Sequence, residues 1–307
     1  MKIYLSNLNE SWIVDRLRRE WYQNNKNIST KLIKRSSLIW IISPWTWKTI
    51  SKTQLKNKKV LCTIHHINEE KFTNDIKKDF YERDVFVDTY HVFSQETLKK
   101  LETLTEKNII KVPYWVNSDI WFQIKNKDLL RKKYGFQQDE YLIGSFQRDS
   151  EGYDLNLPKL EKGPDIFLNL ISKKVSEVNQ LKVVLTGKRR NFVINGLKEL
   201  NIPYYYFEMV SDSTLNELYN VLDLYLVTSR VEGGPQAILE CGITKTPILS
   251  TDVGVSKDIL HKDSIFDLCN FTNAKPNIDH AYKQASKYVI PEGMKPYIEV
   301  FKQLHEN

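Results

Sequence analysis

Short apolar runs alternate with longer segments of helical periodicity along the whole chain. Runs of strand length lie at 2–5, 38–42, 60–64 and 85–93 in the first part, and at 141–146, 182–186, 204–207, 222–228 and 246–250 in the second. Residues 12–22 and 296–304 are predicted to be helices. Alternating strands and helices are typical of parallel sheets covered by helices. The pattern therefore predicts an α/β protein with two such units and no internal repeat.

The segment 112–122, VPYWVNSDIWF, separates the two predicted units. Its Pro113 and Asn117 are turn signals. Its aromatic side chains are predicted to be exposed. We therefore expect a connection between two domains here rather than another strand.

Composition agrees with two globular domains. The 307 residues are long enough for two domains of roughly 100–200 residues each, and a hydrophobic fraction of 41% supports real cores. The 45 Lys and Arg exceed the 38 Asp and Glu by 7. This excess favours an anionic partner such as a nucleotide diphosphate, an acidic membrane surface or nucleic acid, although a generally basic solvated surface explains it equally well.

The cysteines and the N-terminal segment indicate the cellular compartment in which the protein is expected. Cys62, Cys241 and Cys269 are odd in number and lack metal-like spacing, which favours a reducing compartment. The N-terminal MKIYLSNLNE is predicted to be a strand and a polar turn rather than a signal peptide. Because no apolar run approaches the roughly 20 residues of a membrane span, any contact with a membrane is expected from the protein surface.

The segment 223–254 combines a strand, a glycine-containing loop and a short helix. Pro235 is predicted to be the first helical residue, because its missing N–H costs nothing there. The helix N-terminus offers unpaired N–H groups and partial positive charge, and Gly233 and Gly234 let a ligand approach the backbone closely. A phosphate or a sugar hydroxyl is therefore a suitable ligand.

Two carboxylates flank this helix start. Glu232 precedes the helix and Glu240 lies inside it. Each carboxylate can accept two hydrogen bonds from a diol, so the pair suits a ligand rich in vicinal hydroxyls. The same spacing is explained equally well if Glu232 is an ordinary loop charge and Glu240 a solvated helix residue.

A second candidate for phosphate binding spans 143–171. The predicted strand ends near Gly144, Ser145 and Arg148, and after an insertion Lys162 and Gly163 open a helix. A lysine at a helix start is unfavourable unless an anion lies nearby, which favours a phosphate site over an ordinary surface lysine. Acidic residues of the insertion are candidates to cover the site or to contact an acceptor: Asp149, Glu151, Asp154 and Glu161.

In the first unit a buried strand ends in His65 and His66, which face opposite ways. A histidine at a strand end is more often structural, and no carboxylate or third histidine stands at ligand spacing, so no metal site is predicted. Trp12, Trp45 and Trp47 are suited to stack on sugar rings, but core or rim packing is the expected role.

These motifs resemble the retaining glycosyltransferases of family 4, the group 1 type. The family pattern of Glu, seven residues, Glu, then a small-residue turn, Pro and Thr-x-x-Gly falls in register with Glu232, Glu240, Pro247, Thr251 and Gly254. Several positions depart from the family: Lys245 and Val255 replace glycines, Gln147 breaks a Gly-Arg step, and 6–12 replaces a glycine-rich loop.

The resemblance implies a GT-B fold, that is, two Rossmann-like domains facing across a cleft. It implies an acceptor-side domain at 1–115, a nucleotide-sugar-binding domain at 116–290, and a helix at 291–307 that returns to the first domain. The segment 112–122 resembles the hinge of that family.

The resemblance also implies a function. The expected enzyme is a retaining, metal-independent hexosyltransferase without a cofactor, which moves a sugar from a UDP- or GDP-linked donor to a glycan or lipid-linked hydroxyl. It implies a cytoplasmic enzyme of glycan biosynthesis and is compatible with a peripheral contact to the inner face of an anionic membrane. It does not imply a nucleic-acid partner.

Site residues are likewise implied by the resemblance. His65, favoured over His66, is expected near the donor sugar. The implied catalytic residues are Glu232, His65, Arg148 and Lys162. The implied donor-binding residues are Gly144, Ser145, Arg148, Lys162, Glu232, Gly233, Gly234, Pro235, Gln236 and Glu240.

Two other functions fit parts of the sequence. A nucleotide-sugar 2-epimerase on the same architecture would need general acid and base groups at the sugar, and the two spaced glutamates argue against it. A nucleic-acid-binding protein would use the positive charge and the aromatic residues. However, the lysines are spread along the chain and no recognition motif stands out.

Overall fold

The computed structural model describes residues 1–7 and 13–306. Trp12 and most of the segment that replaces the glycine-rich loop lie outside the described residues. The chain divides into two compact units. Unit 1 comprises Met1–Trp115 with Ile290–Asn307, and unit 2 comprises Val116–Val289.

Unit 1 contains a parallel sheet whose strands follow in chain order. The strands are β1 (Ile3–Leu5), β2 (Leu38–Ile41), β3 (Lys59–Thr63), β4 (Thr89–Val92) and β5 (Asn108–Lys111). The helices are α1 (Ile13–Asn24), α2 (Lys52–Lys56), α3 (Asn74–Asp84), α4 (Gln95–Glu102) and, near the chain end, α12 (Lys295–Glu306).

Two strands of this sheet differ from the sequence expectation. The strand predicted at 85–93 is confined to Thr89–Val92, because α3 continues to Asp84 and Val85 is an exposed residue in helical conformation. Strand β5, Asn108–Lys111, was not predicted. It lies at the sheet edge, and none of its residues is fully buried, so it lacks a strong apolar signal.

Both faces of the first sheet are covered. Ile39, Ile41, Val60 and Cys62 occupy alternate positions and pack in one apolar cluster with residues of α2, α3 and α4. On the other face the ring of Trp40 lies 5.2 Å from that of Tyr297 in α12. The last helix is therefore part of the core of unit 1.

The segment 112–122 has buried rather than exposed aromatic residues. Tyr114, Trp115 and Trp121 are buried, and only Phe122 among these aromatic residues is exposed. The expectation of exposure was wrong because the indole of Trp115 packs against Trp21 in α1, at 5.8 Å between ring centroids, and donates a hydrogen bond to Glu20.

Unit 2 contains a second parallel sheet in the order β11-β10-β9-β6-β7-β8. The strands are β6 (Tyr141–Ser145), β7 (Leu181–Thr186), β8 (Tyr204–Phe207), β9 (Leu224–Val227), β10 (Ile248–Thr251) and β11 (Ile265–Phe266). The helices are α5 (Lys127–Tyr134), α6 (Pro164–Lys174), α7 (Asn191–Glu199), α8 (Asp212–Val221), α9 (Gln236–Thr244), α10 (Ser256–Ile259) and α11 (Ile278–Ala285).

The strand order of unit 2 determines where a ligand can bind. From β6 the chain builds outward through β7 and β8 on one side, and β9, which pairs with β6, begins the other side. This reversal is the switch point of a Rossmann fold, where the loops after two neighbouring strands diverge and leave a crevice at their carboxyl ends. The loops after β6 and β9 therefore carry the candidate site.

No helix among the described residues has the length and the apolar character that crossing a bilayer requires.

Candidate active site

Two charged side chains meet at the switch point. Lys162 ends a short 3₁₀ helix, Leu160–Lys162, in the connection after β6, and Glu232 lies in the loop after β9. The ammonium group of Lys162 donates a hydrogen bond to Oε1 of Glu232. Both side chains are mostly shielded from solvent. The two residues expected to meet the diphosphate and the donor sugar are thus in contact with each other.

Two uncharged residues, Gln147 and Ser229, extend the contact between Lys162 and Glu232. Nε2 of Gln147 donates to the carbonyl of Lys162 at 2.9 Å. The hydroxyl of Ser229 lies 3.3 Å from Oε1 of Gln147 and 3.3 Å from Oε1 of Glu232. Sequence reasoning missed both residues as site components, since Gln147 stood out only as a departure from the family and Ser229 only as part of a turn.

Gly163 joins the two loops. It has a left-handed backbone with φ +61°, and a Cβ there would lie 1.8 Å from the carbonyl oxygen of Thr228 at the end of β9. Backbone hydrogen bonds also link the two loops, because the N–H groups of Arg230 and Val231 donate to the carbonyl of Glu161 at 2.8 and 3.2 Å. This arrangement fixes Lys162 relative to Glu232.

An exposed ion pair supports the same connection. The guanidinium of Arg230 donates to both carboxylate oxygens of Asp165, in the first turn of α6. The hydrogen bonds from Arg230 lower the pKa of Asp165 below its ordinary value.

The glycine pair lies at the start of α9 as expected, with one difference. The helix begins at Gln236, and Pro235 is the capping residue before it because its ψ of 110° is extended. Gly254, with φ +59°, packs so closely that a Cβ there would lie 2.6 Å from the carbonyl oxygen of Gly233. The side-chain Oε1 of Gln236 is buried and has no hydrogen-bond partner within residues 1–7 and 13–306.

Glu240 is not a solvated helix residue. It is only 4% exposed, and the hydroxyl of Tyr219 in α8 donates to its Oε2 at 2.9 Å. Burial, together with the neighbouring Glu240 carboxylate, raises the pKa of Tyr219 and of Cys241 well above their ordinary values. The structure thus holds a carboxylate inside the protein, oriented by a hydroxyl that the sequence did not mark.

The remaining predicted residues after β6 have diverse surroundings. Gly144 is packed in the core, since a Cβ there would lie 2.3 Å from Leu222. Ser145 is buried, and its carbonyl accepts a hydrogen bond from Arg190. Arg148 is exposed. Asp149, considered as a cover or acceptor contact, is instead buried in an ion pair with Arg190 at 2.6 Å.

In unit 1, His65 follows β3 and is half-buried, whereas His66 is exposed. Nε2 of His65 lies 3.0 Å from the carbonyl oxygen of Ile42, and its ring lies 5.8 Å from that of the exposed Trp45. Trp47 is buried, and its indole N–H donates to Asp79, which is a core role. Among the described residues, no group of three His, Cys, Asp or Glu could hold a metal ion.

Comparison with known proteins agrees with this architecture. Residues 126–277 match the family model described as "Glycosyl transferases group 1". None of the curated proteins matches the chain significantly. The second unit thus carries the domain of the group 1 glycosyl transferases.

Several solved structures share the fold along nearly the whole chain. HepE of Anabaena in complex with UDP-glucose has a TM-score of 0.75 and 11% identity, over 98% of this chain and 99% of that one. Sucrose-phosphate synthase from Thermosynechococcus elongatus gives 0.67 and 13%, over 97% and 80%. A glycosyltransferase from Rickettsia africae gives 0.64 and 16%, over 98% and 84%. The chain therefore has the GT-B fold of glycosyltransferases.

Proposed function

We propose that the protein is a retaining glycosyltransferase that moves a sugar from a nucleoside-diphosphate donor to a hydroxyl of a glycan or lipid-linked acceptor. The observation that carries the proposal is the contact between Lys162 and Glu232 at the switch point of unit 2. The buried Glu240 and the unpartnered Oε1 of Gln236 on the following helix support it, because both offer hydrogen-bond acceptors to a polar ligand.

In this proposal the donor lies along the loops after β6 and β9. Glu240 accepts hydrogen bonds from the ribose hydroxyls, and Glu232 with the Gly233 and Gly234 backbone binds the sugar. Lys162, Arg148 and the N–H groups at the start of α9 face the diphosphate, because cations and helix N-termini stabilise phosphate charge. For His65 of unit 1 we propose the catalytic role that the family resemblance implies.

The reaction breaks the bond between the anomeric carbon and the diphosphate oxygen. The electron pair leaves with the phosphate, whose growing negative charge Lys162 stabilises. The acceptor hydroxyl forms the new bond on the same face of the sugar, and its proton passes to the departing phosphate oxygen. This scheme requires neither a covalent enzyme nucleophile nor a metal ion.

The first test is a thermal-shift series with UDP, GDP, ADP, CMP and their common sugar conjugates. A ligand at about 100 times its dissociation constant adds about 2.7 kcal/mol of stability, or a few degrees. We expect one nucleotide to shift the wild type, and the shift to be lost in Lys162→Gln and Glu240→Gln. Lys173→Gln, an exposed lysine of α6, is the matched control and should keep it.

The nucleotide identified in this way then serves as donor in a transfer assay. We expect Lys162→Gln to lower kcat by about 10²- to 10³-fold, as removal of one transition-state donor does elsewhere. NMR of the product should show the donor's anomeric configuration, and a chelator should leave the rate unchanged. A complete absence of nucleotide binding by the wild type would contradict the proposal.

A further inference from the structure

A buried ion pair in unit 2 adjoins the candidate active site. Nε of Arg190 lies 2.6 Å from Oδ2 of Asp149, and the two side chains are 0% and 3% exposed. Removing two charges from water is so costly that such a pair contributes little to stability by itself. The contacts around this pair, which we call the buried pair, therefore indicate its role.

Arg190 binds the carboxyl ends of two neighbouring strands. Its Nη1 donates to the carbonyl of Ser145, the last residue of β6, and to that of Thr186, the last residue of β7, at 3.0 Å for Thr186. Its Nη2 lies 3.4 Å from the hydroxyl of Ser145. One planar guanidinium, with its donors in a rigid fork, thus ties both strand ends to Asp149.

Asp149 is fixed by the turn after β7 and by the start of α7. Its backbone N–H donates to the carbonyl of Arg189 at 3.0 Å, and its own carbonyl accepts the N–H of Lys159 at 2.8 Å. Its Oδ1 accepts a hydrogen bond from the hydroxyl of Ser150 at 2.9 Å, and that hydroxyl accepts the N–H of Phe192 at 2.9 Å. Asp149 is therefore held by both its backbone and its side chain.

A very short loop connects the two residues that Arg190 contacts. Only residues 146–148 lie between Ser145 and Asp149, and Gln147 is the middle one. A short segment between two fixed ends has few conformations. The buried pair therefore determines where Gln147 lies.

Gln147 in turn contacts the charged residues of the candidate site. Its Nε2 donates to the carbonyl of Lys162 at 2.9 Å. Its Oε1 lies 3.3 Å from the hydroxyl of Ser229, which lies 3.3 Å from Oε1 of Glu232. The buried pair is thus connected through one side chain to both Lys162 and Glu232.

We propose that the buried pair is a positioning device for the donor site, which acts through Gln147 to set the place of Lys162 at the diphosphate. Arg190 and Asp149 are positioning residues, because the contact with the donor is made by Lys162. The inference rests on the proposed sugar transfer and adds two residues to that site. A small displacement is enough, since misplacement by about 1 Å can lower a rate about 100-fold.

A second buried guanidinium provides a matched control at the other end of the same strands. Arg131 in α5 is 4% exposed and lies 2.6 Å from Oδ2 of Asp223. It also donates to backbone carbonyls, those of Gln138, Glu140 and Val221. Asp223 precedes β9 and accepts the N–H of Leu142 near the start of β6. This pair therefore lies at the amino ends of the strands, whereas ligands of such sheets bind at the carboxyl ends.

The test compares the affinities for a nucleoside diphosphate and for the monophosphate of the same base, by calorimetric titration with UDP and UMP, GDP and GMP, and ADP and AMP. Arg190→Lys keeps the charge but loses the fork that reaches Asp149 and both carbonyls. It should lower the ratio of diphosphate to monophosphate affinity by about tenfold, roughly the contribution of one hydrogen bond to a charged group. Arg131→Lys should lose a similar amount of stability in urea unfolding and keep the ratio of the wild type.

Gln147→Ala tests the route of the effect. It should lower the ratio by itself, and Arg190→Lys added to it should lower the ratio by clearly less than about tenfold, because coupled residues are not additive. Asp149→Asn tests the buried pair from its other side and should lower the ratio as well, which also covers an Arg190→Lys protein that does not fold.

Three results would overturn the inference: an unchanged ratio in Arg190→Lys or Asp149→Asn, an equal fall in Arg131→Lys, or simple addition of the effects of Arg190→Lys and Gln147→Ala. If the wild type binds no nucleotide, the proposed function fails and the inference fails with it. If the wild type prefers the diphosphate and the variants keep that preference, the inference alone fails.

Discussion

The hydroxyl of Tyr219 helps to position the carboxylate of Glu240 inside the protein. Glu240 lies in α9 among buried apolar neighbours such as Ile238, Leu239 and Cys241. A buried charge is tolerated only when hydrogen bonds replace its lost hydration, and Tyr219 supplies one at 2.9 Å. The orientation of the carboxylate is therefore set by α8, not by α9 alone.

Tyr219→Phe is expected to lower the free energy of unfolding by about 1.5–3 kcal/mol, because it removes a hydrogen bond to a charged group. It should also weaken binding of the nucleotide that stabilises the wild type, since Glu240 loses its fixed direction. Denaturant unfolding and calorimetric titration measure the two effects. Tyr204→Phe, in the edge strand β8, is the control. If Tyr219→Phe bound the nucleotide with the affinity of the wild type, the proposed contact between Glu240 and the ligand would be contradicted.

At the scale of elements, the contact between the 3₁₀ helix Leu160–Lys162 and the end of β9 has no room for a side chain. Gly163 provides both the left-handed turn and the space beside the carbonyl of Thr228. The two loops of the candidate site can approach each other only because this residue is glycine.

Gly163→Ala is expected to destabilise unit 2 and to abolish the nucleotide-dependent thermal shift, since the loop bearing Lys162 must move. Gly135→Ala is a strict control. Gly135 also has a left-handed backbone, φ +76°, but a Cβ there meets nothing within 4 Å. Gly135→Ala should lower the free energy of unfolding by about 1–2 kcal/mol, because alanine is strained in the left-handed conformation. Gly163→Ala should lower it clearly more. Equal losses of stability in the two variants would contradict the close contact between Gly163 and Thr228.

The structure explains how Lys245 can occupy a position where the family pattern has glycine. It ends α9 in the left-handed conformation, φ 56°, which glycine usually adopts at this position. Its ammonium lies 4.5 Å from the centre of the Tyr282 ring in α11. A cation over an aromatic ring contributes about 0.5–1 kcal/mol at exposed sites, which offsets part of the backbone strain.

Lys245→Gly should therefore change the free energy of unfolding by less than about 1 kcal/mol, because strain relief and loss of the cation contact oppose each other. Lys245→Ala keeps the strain and loses the contact, so it should be less stable than Lys245→Gly. Urea unfolding of the three proteins measures the order. An alanine variant more stable than the glycine variant would disprove this explanation.

Most strands and the signature around Glu232 and Glu240 were predictable, because buried parallel strands are continuous apolar runs and the family spacing is in the sequence. Strands β5 and β11 and the roles of Gln147, Ser229 and Tyr219 were not. Strand β5 has no fully buried residue and β11 has only two residues, so neither gives a strong apolar signal. The polar contacts join residues about 20 to 80 positions apart, as in Tyr219 with Glu240 and Gln147 with Ser229. Such pairings depend on strand order, which local patterns do not specify.

At the scale of the molecule, His91 connects elements that are distant in the chain. Its Nδ1 lies 3.0 Å from the hydroxyl of Thr63 in β3, and its Nε2 lies 2.7 Å from the carbonyl of Val112 and 3.1 Å from the hydroxyl of Tyr297 in α12. Burial lowers the pKa of His91 to about 3. The ring is therefore neutral in the folded protein.

This lowered pKa predicts a loss of stability in mild acid. Below about pH 6.5 the unfolded chain protonates this histidine, whereas the folded protein does not until about pH 3. The free energy of unfolding should thus fall with decreasing pH across that window, by roughly 1.4 kcal/mol per pH unit. In His91→Gln this slope should be shallower between pH 6 and 4, as followed by tryptophan fluorescence. Parallel slopes would contradict a neutral buried His91.

Helix α12 belongs to unit 1, where its Phe301 and Tyr297 complete an aromatic cluster with Trp21, Trp40 and Trp115. Unit 2 is one uninterrupted stretch, Val116–Val289. On the ribosome, all of unit 2 emerges before α12. Because domains generally fold as units during synthesis, the candidate donor site forms while unit 1, although made first, still exposes its tryptophans. A nascent chain stalled before α12 would therefore need protection on the half that was synthesised earlier.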